Sequence, residues 1–114
     1  MKYSEQNYFK DSLLHVAELM VVAARTAPKA RGMSTLQTFI IDGADLEALA
    51  DHLQKKGETL DIQSFVRDAG CLRKADVAVI LGAEIQALGL KKCGMCGFSN
   101  CDEKKLHPDV PCVF

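Results

Sequence analysis

Apolar residues recur at spacings of three and four near the start of the chain. Phe9, Leu13, Val16, Met20 and Ala24 fall on one stripe, which predicts an amphipathic helix over residues 4–25 that buries that stripe. Ser4 stands where an N-cap belongs, and Ala27-Pro28 ends the helix because a residue before proline avoids the α region. Residues 36–41 are rich in β-formers and close on the turn signal Asp42-Gly43, which predicts a strand. Leu46, Leu49, Ala50 and Leu53 then return to helical spacing over residues 44–56, with Gly57 as the C-terminal stop after Lys55 and Lys56. A further helix over residues 61–70 places Ile62, Phe65, Val66 and Ala69 on one side, with Asp61 as its N-cap. Residues 77–81 are an unbroken apolar run between Asp76 and Gly82, the pattern of a buried strand covered on both faces. Residues 83–88 are too few to assign, and from Leu90 onward the periodicity disappears.

Alternating helices and strands predict an α/β (α+β) fold: a small sheet packed with about three helices, followed by an irregular, cysteine-rich C-terminal loop. The boundary falls near Leu90, giving an α/β domain over 1–90 and a separate module over 91–114. No internal repeat or low-complexity stretch interrupts this plan.

Composition narrows the functional classes. A chain of 114 residues allows one domain, or one small domain with an attached module. With 48% hydrophobic and 25% charged residues it has the make-up of an ordinary globular domain rather than a disordered one. A net charge of −1 argues against bulk nucleic-acid binding. No apolar run approaches the roughly 20 residues of a membrane span. Met1-Lys2-Tyr3-Ser4-Glu5 leads into no apolar leader segment, so a cytoplasmic location with reduced thiols is expected. Five cysteines in such a compartment read as metal ligands or redox groups rather than as a disulfide framework.

Four of them, Cys93, Cys96, Cys101 and Cys112, fall in the last 22 residues with the spacing C-x2-C-x4-C-x10-C. Three thiolates on one tight loop and a fourth returning from elsewhere is a layout typical of a 4Fe–4S cluster. Structural zinc more often takes two close pairs, and here Cys93 and Cys96 form the one close pair, so zinc stands as the alternative metal. A redox-active Cys93–Cys96 dithiol also has the spacing, but it leaves the other two cysteines unexplained. Gly94 and Gly97 each follow a cysteine and allow left-handed backbone around a metal site. Met95 and Phe98 would shield it, and Pro111 would stiffen the approach of Cys112. Cys71 lies apart and reads as a small hydrophobe.

The string Cys93-Gly94-Met95-Cys96-Gly97-Phe98-Ser99-Asn100-Cys101 resembles the C-G-x-C-G-F-x-x-C loop of a four-iron ferredoxin-type domain, found also in corrinoid iron–sulfur proteins. The wider chain resembles a family of uncharacterised ferredoxin-domain proteins, mostly of anaerobic bacteria and archaea. The resemblance runs through Ala24-Arg25-Thr26-Ala27-Pro28-Lys29-Ala30-Arg31-Gly32, Arg67-Asp68-Ala69, the segment from Asp76 to Gly82, Leu88-Gly89-Leu90 and Pro111-Cys112. It implies a ferredoxin-type module with these four cysteines as ligands, acting in electron transfer with a redox partner protein. Members of that family continue past the final cysteine with another helical half, so the resemblance also implies a truncated chain and an incomplete core. A further likeness, Ala23-Ala24-Arg25-Thr26-Ala27-Pro28, is to the turn near the start of flavin-dependent nitroreductases. It implies flavin mononucleotide (FMN) with Arg25, Lys29 and Arg31 on its phosphate, a homodimer, and a place in a flavin-linked reductase.

Remaining candidates are few. His15, His52 and His107 read as surface or packing residues; His107 alone lies near the cysteines, but the histidine ligands of two-iron centres come as a pair and no second one is nearby. Lys91, Lys92, Lys104 and Lys105 flank the loop as solvated charges, or as a rim that steers an acidic partner. No serine–histidine–acid set and no phosphate-binding G-x-x-x-x-G-K-S/T loop is present, so a hydrolase or nucleoside-triphosphate enzyme has no support. The expected function is 4Fe–4S binding and electron transfer; the alternative is a zinc-binding structural module without catalytic activity.

Overall fold

A computed structural model describes residues 1–113. The chain divides into two compact units, 1–27 with 36–82, and 28–35 with 83–114.

The first unit opens with α1, Glu5–Thr26, which has Ser4 at its N-cap position and stops at the extended Ala27 ahead of Pro28. Its inward face differs from the predicted stripe. Ala17 is buried, with Leu13, Leu14, Val21 and Ala24 half-buried beside it; of the predicted stripe, Leu13 and Ala24 face inward, while Phe9, Val16 and Met20 are 45%, 50% and 54% exposed. Apolar residues occur around most of this helix, so two rows of three-and-four spacing are available. The row carrying the small residues Ala17 and Ala24 is the one that approaches a neighbour closely.

Strand β1, Leu36–Asp42, runs straight into α2, Gly43–Leu60; α3, Gln63–Leu72, and strand β2, Val77–Ala83, follow. The two strands form an antiparallel pair, and α1 and α2 both pack on β1, giving a small α+β fold. Along β1, Leu36, Thr38 and Ile40 are half-buried and Gln37 and Phe39 exposed, the period of two of a strand with one covered face. The run 77–81 was expected to be covered on both faces. Instead burial fades along β2 and Leu81 is 55% exposed.

The α2–α3 pair is the tightest packing in this unit, and it explains two departures from the sequence pattern. Gly57 does not end α2; the helix continues to Leu60 with Gly57 buried inside it. A Cβ on Gly57 would lie 2.9 Å from Val66 Cγ2, 3.0 Å from Phe65 Cβ and 3.0 Å from the Ile62 carbonyl oxygen. Glycine is there for close approach, not for termination. Asp61 ends α2 rather than capping α3. It takes left-handed backbone (φ 55°, ψ 42°), and Ile62 N–H donates to the Gly57 carbonyl at 2.8 Å, a Schellman bond. Arg73, just past α3, adds ion pairs to Glu47 (3.1 Å) and Asp51 (2.6 Å) on α2 and donates to Gln54. The Asp51 hydrogen bond first, and the Glu47 one after it, hold this guanidinium's pKa above its ordinary value. The buried apolar side chains of this unit are Ala17, Leu46, Ala50 and Ala69. Among the described residues no helix is long and apolar enough to cross a membrane.

Candidate metal centre

The second unit contains the cysteine-rich segment. Its architecture comes from turns and polar contacts, because its sequence has no apolar period to bury. Residues 83–88 form no helix beyond β2. A single 3-10 turn, Ala30–Gly32, puts Arg31 in left-handed backbone (φ 58°). From there Arg31 Nη1 donates to the Leu88 and Gly89 carbonyl oxygens, both at 3.0 Å. Gly89 (φ 74°) admits this clamp, since a Cβ there would sit 2.9 Å from Arg31 Nη1. One guanidinium thus fastens the 28–35 stretch to the residues that lead into the cysteines.

The loop itself turns at Gly94 (φ 66°) and Gly97 (φ 89°), and Gly97 N–H donates to the Gly94 carbonyl at 3.1 Å. Cys101 N–H donates to the Leu90 carbonyl at 3.2 Å and closes its base. Where an irregular segment was expected, a short helix α4, Cys101–Lys105, begins. Its cap is legible afterwards in the string Asn100-Cys101-Asp102-Glu103. Asn100 Oδ1 accepts from Glu103 N–H at 2.9 Å, and Glu103 Oε2 accepts from Ser99 N–H at 2.7 Å. The Ser99 N–H bond holds the Glu103 carboxyl below the usual carboxylate range. Phe98 stacks on His107 with ring centroids 4.9 Å apart and 14° between planes, so His107 has a packing partner in the loop. Met95, expected to shield the site, is 63% exposed.

All four cysteines, Cys93, Cys96, Cys101 and Cys112, line one pocket of this unit. The first three are half-buried, Cys112 is exposed, and all are free thiols. Cys71 lies in the other unit, exposed on α3. Among the described residues, no three His, Cys, Asp or Glu side chains converge closely enough to hold a metal ion. The pocket's donor set is nonetheless four sulfurs in one small unit, which is the chemistry a cubane cluster or a thiolate zinc requires.

Lys104 also lines the pocket, and sequence reasoning misplaced it. It was grouped with Lys91, Lys92 and Lys105 as a solvated charge, yet it is 8% exposed, the one buried charged residue among those described. A wider groove of the same unit shares Leu88, Lys104 and Cys112 with the cysteine pocket and is also lined by Arg31, Glu84 and Lys105. The three residues assigned to a flavin phosphate are distributed differently. Arg25 is in the first unit, where its Nη1 donates to the Leu36 carbonyl at 3.2 Å, while Lys29 and Arg31 are in the second.

The chain is 31% identical over 105 residues to a protein of Archaeoglobus fulgidus that is described only as uncharacterized. The match covers 92% of this chain and 56% of that protein, so the chain spans about half the length of the curated relative it matches. No family model matches the chain. No solved structure matches it either.

Proposed function

We propose that the second unit binds a 4Fe–4S cluster through Cys93, Cys96, Cys101 and Cys112 and serves electron transfer to or from a partner redox protein. The observation that carries this reading is the four cysteines lining one pocket in a unit that buries no apolar side chain among its described residues. Units of about 40 residues seldom hold together on apolar burial alone, and metal coordination is one of the usual replacements. The spacing of the cysteines, three on one loop and a fourth returning from further along the chain, suits a cluster better than the two close pairs of a structural zinc site. Tetrahedral zinc draws four sulfurs to within about 2.3 Å of one point, whereas a cubane takes one thiolate at each of four corners. When bound, the cluster would supply one-electron redox chemistry.

The chain's own contributions are specific. Gly94 and Gly97 give the loop the turns that a three-cysteine approach needs, and the Arg31 clamp holds the strand of chain ahead of it. The Asn100–Glu103 cap fixes the start of α4 and with it Cys101. In this reading the protein works in the cytoplasm, where its thiols stay reduced until metal is inserted.

Purification without oxygen tests the reading. The expected product is brown, carries four irons and four sulfides per chain by the cubane's stoichiometry, and bleaches with dithionite. Replacing Cys112 by serine should strip most of that iron, and replacing Cys71 by serine should leave it in place. A colourless protein with one zinc would establish the structural-zinc alternative, and equal losses from both substitutions would show the ligand set to be wrong.

A further inference from the structure

The residue that the cluster reading does not use is Lys104. A lysine is seldom this buried without a carboxylate partner, because desolvating an ammonium is costly. Lys104 has none among the described residues. Its Nζ donates to the His107 carbonyl at 3.3 Å, and no ion pair is formed. Its neighbour Lys105, by contrast, is exposed and paired with Asp102 at 3.3 Å. Lys104 also stands three residues after Cys101 on α4, and positions i and i+3 share a helix face. Lys104 is also among the residues that line the same pocket as the four cysteines. A buried lysine with no carboxylate partner, its ammonium bonded to the His107 carbonyl, therefore belongs to the lining of a pocket whose occupant, in the reading above, brings four thiolates and a net negative charge.

We propose that Lys104 is the charge-balancing residue of this site, a positioning residue that favours the reduced state of the cluster. The inference rests on the cluster reading. Its physics is direct: reduction adds one negative charge to an already anionic centre, and a nearby cation in a poorly screened environment stabilises that state more than the oxidised one. In the matching titration the electron comes from dithionite and enters the cluster, with no bond made or broken in the chain.

The test uses the full chain, reconstituted without oxygen, as wild type, Lys104→Met, Lys104→Gln, Lys104→Arg and Lys105→Met. Iron and sulfide are counted first, and the midpoint potential is then read from visible absorbance. The two neutral variants at position 104 should hold the wild-type iron content and lose about tenfold in the reduction equilibrium, a potential about 59 mV more negative. Lys104→Arg should restore the wild-type value, and Lys105→Met should not move it. A wild-type potential in Lys104→Met or Lys104→Gln overturns the proposal, as does an equal shift in Lys105→Met. Failure of both neutral variants to take up iron overturns it too, because Lys104 would then be a structural part of the loop. A wild-type protein with no iron brings down the cluster reading itself, and the iron count separates that outcome from the others.

Discussion

The two units of this chain are held by different forces. The first buries Ala17, Leu46, Ala50 and Ala69 and brings two helices together over a glycine. The second buries no apolar side chain among its described residues; its one buried residue is a lysine, and its backbone is tied by a guanidinium clamp, two glycine turns and a capped five-residue helix. Both are built from the same 48% hydrophobic chain. The difference shows that hydrophobic content alone does not make a core; small residues at a close crossing do so in one unit, and the other has to find its cohesion in polar bonds and, on the proposed reading, in a metal held by its four sulfurs.

The strongest way to break this contrast is to take away the metal proposed for the second unit. Binding energy at a structural metal site is folding energy, on the order of 10 kcal/mol for four-ligand zinc peptides. Removing the metal by chelation under oxidising conditions should therefore unfold the second unit and spare the first. Limited proteolysis followed by mass spectrometry should show new cleavage within residues 83–113 at rates raised by several orders of magnitude, with residues 43–72 still protected. Loss of protection in both units at once would mean that they share one folding transition. Unchanged protection of the second would mean that its polar contacts suffice.

The complementary substitution lies in the first unit. Gly57→Ala puts a methyl group 2.9–3.0 Å from Val66, Phe65 and the Ile62 carbonyl, and a backbone oxygen has little room to give. Overpacking of this kind costs about 1–3 kcal/mol, more than the alanine's gain in helix propensity of up to about 1 kcal/mol. The thermal midpoint of helix loss should fall by several degrees in circular dichroism, while metal content per chain stays at the wild-type value. A rise in the midpoint would show that α3 can shift outward freely and that the crossing is looser than its distances indicate.

How much of this was legible in the sequence follows the same division. Elements whose signal is local came through: α1 between Ser4 and Ala27, both strands, and α2 with α3. What failed depended on a distant partner. Gly57 after two lysines has the local signature of a helix stop, and only the crossing of α3 gives it another use. The inward row of α1 was missed in part because Phe9 and Met20 outweigh Ala17 in any hydrophobic tally, whereas close packing selects for small size. In the second unit the spacing of the cysteines was plain, and the structure places all four on one pocket. The Asn100-x-x-Glu103 cap was readable in principle and overlooked. Lys104 was not readable: Lys104 and Lys105 are chemically identical neighbours, and only the phase of α4 buries one of them.

That overlooked cap gives the finest test of the contrast. Asn100 Oδ1 satisfies the Glu103 N–H, one of the amides that a helix start leaves without an intrahelical partner. Asn100→Ala removes the acceptor, at a typical cost of about 1 kcal/mol. In a first unit cohering through its core, a loss of that size would be spread over the whole cooperative transition. In a second unit tied by separate polar bonds, it should remain local. Amide exchange across Cys101–Lys105 should then quicken about fivefold, the factor that about 1 kcal/mol represents, with exchange in α2 and α3 unchanged. Asn100→Ser, which keeps a capping oxygen, should return most of the protection. If exchange instead rises uniformly through residues 83–113, the second unit opens as one body, and its polar ties are cooperative rather than independent.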